Sequence, residues 1–131
     1  MSHKIHLLLG IAMLNIACQS HSNEDIHKEI MVIHDEVMPK QDKLMTLKSS
    51  LDSLASISGD SLSIKKIYFK LDSSDSAMMS WMKEYDVQSI KDESKKEYYN
   101  SEKKKISDIK ELTNNSIEEA ELYLKSLNNG K

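Results

Sequence analysis

The chain contains no arginine, and only one cysteine, one proline, one tryptophan, one phenylalanine and three glycines in 131 residues. Each shortage closes off some chemistry. Arginine forks carry much of phosphate and guanine readout, and clustered cations supply nucleic-acid affinity. A net charge of −3 without arginine therefore argues against a nucleic-acid partner. One cysteine allows neither an internal disulfide nor a cysteine metal cluster. Glycines at 10, 59 and 130 are too sparse for a phosphate-cradling loop. Scarce turn residues and few β-branched residues exclude a β-rich fold. The many serines lack the elbow motif of a serine hydrolase.

What the chain does have begins at its N-terminus. Lys4 precedes the apolar run from Ile5 to Leu14, followed by Asn15-Ile16-Ala17-Cys18. A positive start, an apolar stretch and a small residue before a cut site form a secretory signal. The order resembles a bacterial lipoprotein signal, which implies cleavage after Ala17 and acylation of Cys18 by palmitate-type chains. Leu14 stands one place earlier than the leucine usual in such signals, and Asn15 takes its place. The alternatives are an ordinary secretory signal cut near Ala17, leaving a free thiol, and a membrane-spanning helix. Spanning takes about 20 apolar residues, and Gln19-Ser20-His21-Ser22-Asn23 turns polar at once. The expected layout is a signal peptide over 1–17, a polar tether over 18–23 and one domain over 24–131. Gln19 beside the cysteine resembles residues that direct lipoproteins to an outer rather than an inner membrane.

Apolar residues then recur at alternating steps of four and three: Ile26, Ile30, Ile33, Val37, Leu44, Leu47, Leu51 and Leu54, with Lys40 at the remaining place. That is a heptad seam. Ser22 and Asp25 are spaced to cap its start. Pro39 lacks an N–H and clashes one turn back, so the pattern predicts a kink near Asp35-Glu36, or a break. Ser56 to Ser61 reads as a loop, with Asp60 as the next cap. A second stretch places Ile64, Tyr68, Leu71, Asp75, Met78, Met82 and Tyr85 on one face, and Asp72 to Ser76 is poor enough in helix formers to fray it. A connection over Asp86 to Ser89 leads to a third stretch with Ile106, Ile109, Thr113, Ser116 or Ile117, Ala120, Leu124 and Leu127. Asn114-Asn115-Ser116, with Glu119 three on from Ser116, is the alternative end of one helix and cap of another, but the register carries through. Long seams joined by short loops predict an all-α, antiparallel three-helix bundle, up-down-up, with the first helix kinked at Pro39.

Candidate chemistry lies on the first two helices. His27, Met31, His34 and Met38 form a strip at steps of four, three and four. Imidazole and thioether together suit copper or haem; the competing reading is that methionine fills an irregular core. His34, Asp35, Glu36, Lys40, Asp75 and Glu102 would make an acid/base layer if they met in mid-bundle; the competing reading is a solvated face with one register-fixing ion pair. Trp81, within Ala77-Met78-Met79-Ser80-Trp81-Met82, either closes the core or lines a groove for a partner helix or peptide. The candidate groove comprises His34, Met38, Pro39, Met78, Trp81 and Met82.

Ile33-His34-Asp35-Glu36-Val37-Met38-Pro39-Lys40 and the Ala77–Met82 hexamer are similar to segments of a family of short bacterial lipoproteins that carry the label "viral A-type inclusion protein". The resemblance covers those two segments and only the helical periodicity elsewhere. It implies a lipoprotein and a helical fold, with the two segments side by side, and it implies no catalytic residues. The expectation is a non-enzymatic, lipid-anchored helical module of the cell envelope, held to the membrane through Cys18 and binding an envelope protein or peptide or serving structurally. No cofactor is implied, and the oligomeric state is open. The alternatives are a copper or haem site on the His/Met strip and a small acid/base hydrolase using His34.

Overall fold

The computed structural model describes residues 22–57 and 59–129; the expected signal segment, Cys18 and the first part of the tether lie outside the described residues. Helix α1 (Asn23–Val37) starts on a reciprocal cap. The Asp25 N–H donates to Ser22 Oγ and the Ser22 N–H donates to the Asp25 carboxylate, both at 3.1 Å. This satisfies donors that a helix start leaves orphaned. A 3₁₀ turn over Met38–Lys40 then leads directly into α2 (Gln41–Ala55). The irregularity therefore sits at Pro39 itself, three residues beyond the expected Asp35-Glu36. The Met38 N–H still reaches the His34 carbonyl, and the tighter turn absorbs the N–H that proline lacks.

Helix α3 (Ser61–Glu84) starts on Asp60, whose carboxylate accepts from the Ser63 N–H. It runs unbroken through Asp72–Ser76, against the expected fraying. The reason is tertiary. Lys48 binds Asp72 at 2.9 Å and Asp75 at 3.0 Å, and Ser74 is buried against Thr113. The connection that follows is longer than expected and ends in a 3₁₀ turn over Asp92–Ser94. Helix α4 (Lys95–Asn129) then carries one register through Asn114-Asn115-Ser116.

The chain is an all-α bundle of three rods: α1 with α2, then α3, then α4. The first and third rods run parallel. Glu29 pairs with Lys103, Glu36 with Lys110, and Lys40 with Asn114, equal steps on both helices. The second rod runs opposite to both, as the Lys48–Asp72 and Lys70–Glu119 pairs show.

Two apolar clusters form the core. One joins α1 to the end of α3 and the start of α4 through Ile26, Ile30, Val37, Met78, Trp81 and Ile106. The other joins α2 to the start of α3 and the end of α4 through Leu44, Leu47, Leu51, Ile64, Leu71 and Ala120. Between them, at the level of the Pro39 turn, lie buried Ser74, Thr113 and Ser116. The buried stripe of α3 is Ile64, Ile67, Leu71, Ser74, Met78 and Trp81. It is turned by one residue from the expected face at Ile67, Ser74 and Trp81, which replace Tyr68, Asp75 and Met82. The turn leaves Asp75 free to meet Lys48 at the margin instead of desolvating it inside the core.

Candidate functional site

Aromatic side chains concentrate at the end of the bundle where the N-terminal segment enters. α1 contributes His27 and His34, α3 contributes Trp81, Tyr85 caps α3, and α4 contributes Tyr98 and Tyr99. The Tyr85 ring stacks on Trp81 with centroids 4.8 Å apart and lies parallel to the His27 imidazole at 6.0 Å. Its hydroxyl is 2.6 Å from His27 Nδ1. Tyr99 tilts against His27, and Tyr98 stacks on Tyr85 and tilts against Tyr99. The Tyr98 hydroxyl accepts from the Asp86 backbone N–H at 2.9 Å, which ties the α3–α4 connection down. Burial pushes the Tyr85 phenol well above its ordinary range, with Tyr99, Tyr98 and Glu102 adding to the effect. It stays a neutral partner for the imidazole. Glu102 is 4% exposed and pairs with Lys105 at 2.7 Å.

Beside this cluster a shallow cleft of about 290 Å³ opens between α3 and α4. Ala77, Trp81 and Ile109 form its apolar wall, and Ser80, Glu84, Lys105 and Asp108 form a rim of both charges.

The structure brings part of the candidate groove together. Met78 and Trp81 are core residues, with Trp81 5% exposed, and Met38 and Met82 pack half-buried against the same cluster. The His34 ring lies 6.1 Å from the Trp81 ring, so the two segments singled out in sequence face each other. They meet through His34 rather than Pro39, which is exposed. The Trp81 indole nitrogen is buried without a hydrogen-bond partner among the described residues, as is the Gln41 amide.

Other candidates separate. In the His/Met strip, His27 Nδ1 meets Tyr85 while His34 Nδ1 meets Asp35 at 2.9 Å. Two helical turns, about 10 Å of rise, lie between the histidines. Among the described residues no three His, Cys, Asp or Glu side chains are grouped as a metal site. The candidate acid/base layer does not assemble: Glu36 goes to Lys110, Lys40 to Asn114, Asp75 to Lys48 and Glu102 to Lys105. The polar layer in mid-bundle is instead the uncharged Ser74–Thr113 pair, 2.8 Å apart.

Sequence reasoning missed the His27–Tyr85–Tyr98–Tyr99 cluster. Its only trace is that three of the five tyrosines bracket one connection. No protein-family model, no curated protein and no solved structure matches the chain. Among the described residues no helix is long and apolar enough to cross a membrane.

Proposed function

We propose that the protein is a lipid-anchored, non-enzymatic helical module of a bacterial cell envelope, attached through Cys18 and presenting its bundle to a protein or peptide partner. The observation that carries this reading is the spacing between the acylation motif and the first cap. Three residues, Gln19 to His21, separate Cys18 from Ser22, where the capping box fixes the start of α1. Fully extended, that segment spans on the order of 13 Å. An acyl chain on Cys18 would hold the aromatic end of the bundle against the headgroups, with the α2–α3 turn roughly 50 Å out, the length of the first rod. The Lys4–Ala17 layout and the resemblance to short lipoproteins support the same reading. The dispersal of the charged residues into separate pairs favours a scaffold over an acid/base enzyme.

The test is fractionation together with the mass of the mature N-terminus. Wild-type protein should sediment with membranes and begin at an acylated Cys18, and Cys18→Ala should release it. A soluble wild-type protein, or an unmodified Cys18, would refute the anchor. Metal analysis and a visible spectrum of the purified protein decide the copper or haem alternative, since either group leaves a direct signature.

A further inference from the structure

The outer faces of α3 and α4 each carry an exposed apolar side chain beside unpaired charges at a similar height, far from the anchored end. On α3, Leu62, Lys65, Lys66 and Phe69 follow the i, i+3, i+4, i+7 spacing of one helix face. Leu62 is 81% and Phe69 69% exposed. Lys65 and Lys66 are exposed, and no hydrogen bond or ion pair engages them among the described residues. On the outer face of α4, Leu122 is 60% exposed; Glu118, one turn before it, and Lys125, three residues after it, are exposed and likewise unpaired among the described residues. Within one molecule, Asp60 bonds Tyr123 and Lys70 pairs with Glu119. These contacts set the relative heights of the two helices to within about a turn, which places Leu62 near Leu122 and Lys66 near Glu118.

We propose that these two faces bind each other between copies of the chain, the basic apolar face of α3 on one copy meeting the Leu122–Glu118 face of α4 on the next. The proposal rests on the anchored reading above. Chains held at the same end stand at a common height, so matched levels within a molecule become matched levels between neighbours. Antiparallel α3 and α4′ then bring Leu62 to Leu122′ and the lysine pair to Glu118′. The two faces belong to different helices, so the contact is heterologous and propagates into rings or rows instead of stopping at a dimer. A patch this small gives weak association in free solution. Confinement to a membrane raises the effective concentration enough for it to act.

The test is thiol cross-linking of full-length protein in isolated membranes, with the unsubstituted protein as control for Cys18. Leu62→Cys mixed with Leu122→Cys should yield cross-linked dimer, while either variant alone yields none. Adding Lys65→Glu and Lys66→Glu to the first, or Glu118→Lys to the second, should cut the yield at least tenfold. Combining both reversed proteins should restore it, which also shows that each variant is folded. Absence of cross-links in membrane-bound protein overturns the contact. So does Leu62→Cys pairing with itself, or capture of a different protein that ignores Glu118→Lys. If the wild type proves soluble, the anchor fails separately, and the same cross-linking at millimolar protein decides the contact alone.

Discussion

At the residue scale, Trp81 and Gly59 show how far identity predicts role. A lone tryptophan in an apolar hexamer has two readings, and burial against His34, Tyr85 and the α1–α4 core makes Trp81 structural. Trp81→Ala should therefore destabilise the fold by about 3–5 kcal/mol, the usual range for emptying such a site. That is a large share of the roughly 5–15 kcal/mol a domain has. Chemical denaturation with circular dichroism measures it, and a loss below 1 kcal/mol would mean the indole is not packed as described. The cleft beside it is better probed at its rim, through Ser80 or Asp108, whose truncation leaves the core intact. Gly59 reads from sequence as a turn residue needing glycine's freedom. Yet no described glycine adopts a positive φ, and a Cβ at Gly59 would meet nothing within 4 Å. Gly59→Ala should stabilise the protein by about 0.4–1 kcal/mol by restricting the unfolded chain. A lower melting temperature would contradict that backbone geometry.

At the scale of elements, the heptad seams were legible from Ile26 to Leu54 and from Ile106 to Ala120, where period and burial agree; the seam position expected at Leu127 is exposed, because the helix there runs past its neighbours. The second rod shows the limit. Tyr68, Asp75 and Met82 and the adjacent Ile67, Ser74 and Trp81 continue the same period equally well. Only the neighbouring helices decide which row faces inward, and Lys48 on α2 and Thr113 on α4 settle it for α3. The Ser74–Thr113 contact is buried, so each hydroxyl depends on the other. Ser74→Ala and Thr113→Val should each cost about 1–3 kcal/mol by stranding a partner. The double variant should cost clearly less than the two added together. Strict additivity in a thermodynamic cycle would show that the pair does not interact.

At the scale of the whole molecule, several groups report on alkaline stability together. Burial raises Tyr85 above its ordinary 10.0, and burial also raises Tyr98. Hydrogen bonding to Asp72, then to Asp75, raises Lys48 above 10.5. In each case the unfolded chain loses its proton first, so above that pH the unfolded state binds fewer protons and gains relative stability. Stability should hold up to about pH 10 and fall as pH rises further. The fall should be shallower in Tyr85→Phe, which cannot ionise at that position. Urea midpoints between pH 8 and pH 12 test this, and a profile identical for both proteins would remove Tyr85 from the account.

Sequence alone was enough for three helical rods, for their caps at Ser22 and Asp60, and for the exclusion of a phosphate-cradling glycine loop and an internal disulfide, because these depend on local spacing and residue counts. The tertiary structure decided the parallel register of the first and third rods and the split of the core into two clusters around an uncharged layer. It also decided the fate of the titratable residues. His27 meets Tyr85 across 58 positions of chain, and the candidate acid/base set divides among separate partners. The physical reason is range: helix formation answers to neighbours three and four residues away, whereas the partner of a charge or an aromatic ring depends on where whole helices come to rest.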